Sequence, residues 1–285
     1  MAAHDTHHYV PAFLLREWES PPDGKLTAFS WVNGRLDASR YRAKSVAKVR
    51  GLYGLATESG ETDNRVEREY MGPDVDEPAS LVHKMMLGLP RALPTPVQRR
   101  DWSRFLVSLL MRNPKMVANL RRRGTQIAKD TLAANHEEYE QVREESDPAT
   151  LLDWVAANTP LTTENFPIAT MPALIESDLL NDATLRAEWS VFDIPSPNHE
   201  LVIGEDPLAY VGTMDTSFLL ALPLAPRCAF VAFSNPLTGA RIRAITPDRM
   251  ARNLNEWQVA RTLRYVYATD ASTARFVELR LKPNG

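Results

Sequence analysis

The chain has 285 residues, of which 44% are hydrophobic and 24% are charged, and its formal net charge is −3. These values are typical of a globular protein, and the near-neutral charge excludes a globally basic surface for nucleic acid or an anionic membrane. The single cysteine, Cys228, excludes an intrachain disulfide and a zinc site built from several cysteines.

The sequence shows no targeting or membrane-spanning segment. Its first residues, MAAHDTHHYV, have neither the basic nor the apolar region of a signal peptide. No apolar run reaches the roughly 18 residues that a membrane helix needs. We therefore expect a cytoplasmic protein with no membrane partner.

Residues 1–60 are expected to form a short helix and a hairpin. In HHYVPAFLLREW, Pro11 can occupy the first turn of a helix, where its missing N–H costs nothing. The apolar residues up to Trp18 recur at spacings of three and four, so this helix should pack into the body of the protein. KLTAFSW and VNGRLDA are typical of two paired strands, with Asn33 and Gly34 supplying the tight turn.

The rest of the chain divides into a helical middle and a strand-rich part. Residues 61–186 follow the helical period, and Pro114 predicts a kink or a new helix there. Residues 187–285 show short apolar runs typical of antiparallel strands, then a late helix in RNLNEWQVARTLRYVYA and a closing strand in ARFVELRLK. This order predicts an α+β fold, with residues 1–285 as a single domain.

Two adjacent histidines are the most informative candidates for chemistry. Glycine-rich phosphate loops, dinucleotide-binding turns, a nucleophile elbow and H-E-x-x-H do not occur in the sequence. Neighbouring side chains of an extended segment point to opposite faces, so His7 and His8 should not ligate one metal together unless the backbone turns. We expect one to take part in chemistry while the other supports it. The alternative is that His8 caps the helix at Pro11 and His7 is exposed.

The segment HHYVPAFLLREW resembles the start of a bacterial family known as domain of unknown function 4238, whose members open with an H-H-x-V-P motif. Further segments resemble that family in order along nearly the whole chain, namely RVEREY, VDEPAS, LLMRNPKM and LVIGEDPLAYV. The matched motif positions are Glu67, Glu77, Arg112, Pro114, Asp206 and Pro207. The chain departs from the family's S-D-x-P-V stretch at Glu205 and Leu208, which stand in place of Ser and Pro.

Arg112 should lie near the buried face of its helix, because it follows Phe105 by seven residues. A buried arginine needs an anionic partner, and the candidates are Glu67, Glu77, Asp206 or the phosphate or carboxylate of a ligand. One interpretation is a structural arginine–glutamate lock between the helical middle and the sheet. The other interpretation is an anion clamp at a binding site.

The sharper functional hypothesis is a metal-assisted hydrolase of phosphoesters or nucleic acid. The expected catalytic residues are His7, His8, Glu67 and Asp206. A divalent Mg²⁺, Mn²⁺ or Zn²⁺ would be held by His8, Glu67 and Asp206. Arg112 and Glu77 would bind the substrate, an anionic small molecule or nucleic acid.

The alternative hypothesis is a non-catalytic binding or regulatory module in which the same residues form a structural polar cluster. Both hypotheses require residues from distant parts of the chain to converge. We expect His7 or His8 to approach Glu67, Arg112 or Asp206. A basic concavity beside the histidines favours the enzyme, whereas a dry and mutually paired cluster favours the module. The oligomeric state is left open.

Overall fold

The N-terminal segment enters the core of the protein. The computed structural model describes residues 6–195 and 199–283. Its first elements are a short strand, a one-turn helix and a 3₁₀ turn: β1 (Thr6–His8), α1 (Ala12–Leu15) and Arg16–Trp18. Trp18 is fully buried, and its indole N–H donates a hydrogen bond to the backbone carbonyl of Leu201 at 2.7 Å. The predicted packing of this helix into the body is confirmed.

The remaining elements follow the predicted order of strands, helices, strands and a late helix, except that this helix ends at Arg261 and Val266–Ala268, predicted as part of it, form a strand. The strands are β2 (Leu26–Val32), β3 (Arg35–Tyr41), β4 (Lys48–Arg50), β5 (Leu55–Ala56), β6 (Thr62–Asp63), β7 (Glu188–Asp193), β8 (Ala209–Gly212), β9 (Phe218–Ala225), β10 (Cys228–Phe233) and β11 (Val266–Ala268). A π-helix (Val66–Asp76) precedes the helices α2 (Glu77–Leu87), α3 (Pro96–Met111), α4 (Pro114–Ala134), α5 (His136–Glu140), α6 (Leu151–Asn158), α7 (Thr162–Ala169), α8 (Met171–Ile175), α9 (Asp178–Arg186), α10 (Pro236–Arg243), α11 (Pro247–Arg261) and α12 (Ala274–Glu278).

Helices account for 49% of the chain and strands for 20%, with antiparallel sheets in the N- and C-terminal regions, so the α+β prediction is confirmed. Across the described residues, no helix combines the length and the apolar character that a bilayer span requires.

The predicted hairpin forms the middle and one edge of a three-stranded antiparallel sheet. β2 and β3 pair along their length, and both Asn33 (φ 48°) and Gly34 (φ 73°) have the positive φ of a type I′ turn. β11 pairs with the other edge of β2, where Val266 lies opposite Phe29. The sheet order β11-β2-β3 therefore joins the beginning and the end of the described chain.

The second sheet has four antiparallel strands in the order β7-β10-β9-β8. Its central strand β10 is buried at every position, including Cys228, as the apolar sequence predicts. Trp102 of α3 packs edge-to-face on Phe230 of β10, with ring centroids 5.7 Å apart. The helical middle and this sheet thus share one hydrophobic core.

The closing strand predicted for ARFVELRLK is wrong, because α12 occupies the first five residues of this segment. The sequence alternates between polar and apolar residues, which suggested a strand. In the structure Val277 and Leu281 are buried while Leu279 between them is 62% exposed. Burial at a spacing of four, with the intervening position outside, is the pattern of a helical turn.

Replacement of Trp18 by alanine should lower the free energy of unfolding by roughly 3–5 kcal/mol, because it leaves a cavity and an unpaired Leu201 carbonyl. The measurement is urea denaturation followed by circular dichroism. Val32→Ala, at a side chain that is 50% exposed, is the control and should change stability by no more than about 0.5 kcal/mol. Equal unfolding midpoints for the two variants would contradict the role given to Trp18.

Candidate functional site

Arg112 is a buried cation at the junction of α3 and α4. It ends α3, and Asn113 caps the new helix that begins at Pro114. Its side chain is 1% exposed. The guanidinium donates to both carboxylate oxygens of Asp76, at 2.9 and 3.3 Å, and to the Ser108 hydroxyl at 2.6 Å. Within the described residues, its buried Nε has no hydrogen-bond partner.

The π-helix explains how Glu67 and Asp76 come to lie near the same arginine. Residues nine positions apart are 2.5 turns apart in an α-helix and point to opposite sides, at 3.6 residues per turn. In a π-helix the hydrogen bonds run from i to i+5, so nine positions make about two turns and share one side. Burial follows this period, because Val66, Met71 and Val75 are the buried residues of the helix.

His7 is fully buried and supports the backbone of the neighbouring loop. The backbone N–H of Tyr53 donates to His7 Nδ1 at 2.9 Å, and the two rings stack with centroids 5.3 Å apart. Since Nδ1 accepts a hydrogen bond, the neutral ring carries its proton on Nε2. The Tyr53 hydroxyl lies between the backbone carbonyls of His8 and Arg112, at 3.3 and 3.2 Å. Tyr53 therefore ties the histidine pair to the end of α3.

His8 points to the opposite face of β1 and is only partly buried. Burial lowers the pKa of His8 below its ordinary value, and the positive charges of Lys48 and Arg112 lower it further. A hydrogen bond with the Lys44 backbone and the negative charge of Asp76 raise it, but the net shift is downward. Its Nε2 is covered and has no hydrogen-bond partner in the part of the chain that the structure describes. The imidazole is therefore neutral near pH 7 and has a nitrogen available to accept or donate a proton.

Glu67 is a carboxyl in this region whose pKa is far from its ordinary value. Burial raises its pKa from 4.5 to about 7, with Arg112 opposing and Asp76 adding to the shift. Burial also lowers the pKa of Arg112, but Asp76, Tyr53 and Glu67 together hold it above its ordinary value. The site thus contains a permanent guanidinium and a carboxyl that is about half protonated at pH 7.

The structure brings together four of the predicted residues, whereas Glu77 and Asp206 make other contacts. Glu77 begins α2 and is exposed, so Asp76 holds Arg112 in its place. Asp206 is paired with Arg261, whose Nε donates to it at 2.7 Å and whose Nη2 donates to the same oxygen. His7, His8 and Glu67 thus lie around Arg112, His7 through Tyr53 and the other two through charge interactions. A direct bond from either histidine to Glu67, Arg112 or Asp206 stays a prediction.

The predicted metal ligands His8, Glu67 and Asp206 do not form a common site. Among residues 6–195 and 199–283, no group of three or more His, Cys, Asp or Glu side chains could hold a metal ion. Asp206 is instead paired with Arg261 and lines a cleft beside the start of α4.

Asp76, Tyr53 and Ser108 are the residues of the site that sequence reasoning missed. Ser108 lies four residues before Arg112 and so shares its helix face, which is a usable signal. The sequence did not predict Asp76 as part of the site, because an α-helical period places it opposite Glu67. Tyr53 acts through its backbone N–H and a hydroxyl bonded to carbonyls, contacts that no motif spacing reveals.

The fold and the site define an α+β protein in which a π-helix presents a glutamate and an aspartate to a buried arginine, beside a partly buried histidine. The family model described as protein of unknown function (DUF4238) matches residues 6–272. The chain belongs to this family, as its motifs suggested. No curated protein and no solved structure matches the chain.

Asp76→Asn should destabilise the protein far more than Glu77→Gln, although the two residues are adjacent. Loss of the Asp76 charge leaves the Arg112 guanidinium buried and unpaired, which costs roughly 3–5 kcal/mol. Glu77 is exposed, so its substitution should cost no more than about 0.5 kcal/mol. Urea denaturation of both variants measures the difference. A comparable cost at the two positions would contradict the assignment of Asp76 as the partner of Arg112.

Glu67→Gln should remove a pH dependence of stability between about pH 4.5 and 7. In this window the folded protein holds the Glu67 proton, since its pKa is about 7 rather than 4.5, while the unfolded chain releases it. The unfolded state then binds fewer protons, so the stability of the wild type falls as pH rises. The expected fall relative to Glu67→Gln is on the order of 2 kcal/mol, after a discount for solvent contact.

Chemical denaturation at a series of pH values tests this expectation. Glu69→Gln removes a carboxyl from an exposed position of the same helix and serves as the matched control. If the difference in stability between the wild type and Glu67→Gln is constant from pH 4.5 to 7, the Glu67 carboxyl is not protonated in the folded protein.

Proposed function

We propose that His8, Glu67, Asp76 and Arg112 form an acid–base active site that hydrolyses an anionic ester of the phosphoester class. The feature that carries the proposal is the burial of Glu67 near Arg112 and Asp76, which raises its pKa to about 7, together with the burial of His8, which lowers the pKa of the imidazole. A carboxyl and an imidazole whose environments move their pKa values in opposite directions are suited to act as acid and base near neutral pH.

In this proposal the two titrating groups have complementary roles. Neutral His8 accepts a proton from water as the water oxygen bonds to phosphorus. The bond between phosphorus and the leaving oxygen breaks, and protonated Glu67 gives its proton to that oxygen. His8 then releases its proton to solvent and Glu67 takes one up, so the site returns to its starting state.

The charges around the site favour an anionic substrate. The charges of Arg112 and Asp76 cancel, His8 is neutral near pH 7, and Glu67 is about half ionised there. Lys48 lies opposite His8 in the β1–β4 pair and is exposed, so it adds a positive charge at the edge of the site. Arg112 is buried and does not contact the substrate in this proposal. Its positive charge stabilises negative charge on the substrate through a region of low dielectric.

The proposal does not include the metal predicted from sequence, because the carboxylate of Asp206 is engaged by Arg261. The proposal also leaves out the catalytic roles predicted for His7 and Asp206. His7 accepts a backbone hydrogen bond and positions the loop at Tyr53. Asp206 belongs to a separate cleft. The acid–base chemistry is thus carried by His8 and Glu67.

The second candidate function is a binding or regulatory module in which this cluster is structural. The observation in its favour is the 1% exposure of Arg112, whose terminal nitrogens are all engaged by Asp76 and Ser108. A buried pair of this kind holds two elements in one arrangement without taking part in chemistry.

The deciding experiment compares the wild type, Glu67→Gln and the control Glu77→Gln on p-nitrophenyl phosphate, bis(p-nitrophenyl) phosphate, single-stranded RNA and DNA. Each assay is run with a chelator and with Mg²⁺, Mn²⁺ or Zn²⁺. We expect wild-type activity in the presence of the chelator, falling as pH rises above about 7, where Glu67 loses its proton. Glu67→Gln should lower kcat by about 10²–10⁴-fold and remove this alkaline limb, because one general acid contributes a factor of that size.

Other results would favour the alternatives. Activity that needs an added cation would contradict the acid–base form of the proposal. No hydrolysis of any substrate under any of these conditions, in a wild type that melts cooperatively, would favour the structural module. If Glu67→Gln retains full activity, Glu67 is not the general acid of the hydrolysis, and the proposed site is contradicted.

A further inference from the structure

A cleft outside the acid–base cluster opens on the other side of the α3–α4 junction. It has a volume of about 540 Å³, within the range of about 300–1,000 Å³ that is common for small-molecule sites. One wall comes from residues 110–119 and the other from residues 206–210 and Arg261. Asn113 joins the walls, because its side-chain amide donates to the Glu205 carbonyl at 3.3 Å.

The cleft offers an apolar surface large enough to cover an organic ligand. Leu110 and Met116 line one wall and Tyr210 lines the other. Met116 is 45% exposed, so its side chain is accessible to a ligand in the cleft. Methionine is flexible and polarizable, so it adapts to the shape of an aromatic or aliphatic partner.

The cleft is lined by more positively charged than negatively charged side chains. Arg261 is fixed by Asp206, which it contacts through two nitrogens, and its guanidinium carbon lies 5.1 Å from the centre of the Trp257 ring. Its Nη1 takes no part in those contacts. Lys115 lies on the opposite wall and is exposed. Two cations against the single carboxylate of Asp206 leave an excess of one positive charge.

We propose that this cleft binds a small amphipathic anion, with an apolar or aromatic body and one carboxylate, sulfonate or phosphate group. The body packs between Met116 and Tyr210, and the anionic group contacts Lys115 and the free side of Arg261. A few convergent polar groups on a mainly apolar wall are the usual composition of such sites. The proposal is independent of the acid–base site, and it gives Asp206 the role of holding Arg261 in the cleft.

The test uses two probes that differ only by the sulfonate group, 8-anilinonaphthalene-1-sulfonate and the uncharged N-phenyl-1-naphthylamine. Fluorescence titration should show saturable binding of the sulfonate at one site per chain. Lys115→Gln should weaken its affinity by about fivefold, the factor expected from one charge pair at about 4 Å in water. The affinity for the uncharged probe should not change in this variant.

Two further variants complete the design. Lys129→Gln removes the same charge from an exposed position of the same helix and should leave both affinities unchanged. Met116→Glu places a carboxylate on the apolar wall and should weaken both probes. The proposal is overturned if no saturable binding occurs, or if Lys115→Gln and Met116→Glu leave sulfonate binding unchanged, because the probe then binds elsewhere. Glu67→Gln should not affect either probe, so this result stands apart from any loss of hydrolysis.

Discussion

The ion pair between Arg112 and Asp76 is the constraint on which the rest of the site depends. A guanidinium that is 1% exposed is tolerated only with an anionic partner and further acceptors for its N–H groups. Asp76 meets this demand because the helix that it ends is wound as a π-helix. The same winding brings Glu67 towards the arginine, where burial raises its pKa. The unusual helix and the unusual carboxyl therefore have one common cause.

The α3–α4 junction turns two adjacent residues towards two different environments. Arg112 reaches inward to the π-helix, while Asn113 reaches the Glu205 carbonyl beside the outer cleft. Pro114 makes this possible, since it cannot continue α3 and begins α4 with a new direction. The family motif around these residues thus marks a structural corner that serves both the buried cluster and the surface.

Much of the fold follows from local sequence rules, and the exceptions have physical reasons. The Asn33–Gly34 turn, the helix start at Pro114 and the burial of Arg112 all follow from short-range geometry. The partner of Arg112 did not follow, because the choice between Asp76 and Glu77 depends on the number of residues per helical turn. The closing strand failed for a similar reason, since alternation around Leu279 fits either a strand or one turn of helix. Asp206 was placed with the histidines by its motif, and only the fold shows its pairing with Arg261.

The pairing of β11 with β2 affects how the chain folds while it is being synthesised. β2 is part of a hairpin that can form early, yet the edge that faces β11 has its backbone partners only after Val266 has been synthesised. At about 5–20 residues per second, the intervening chain takes on the order of ten to fifty seconds to emerge from the ribosome. During that time an apolar strand edge is open to pairing with other chains. This edge of β2 is therefore open to mispairing until β11 has been synthesised.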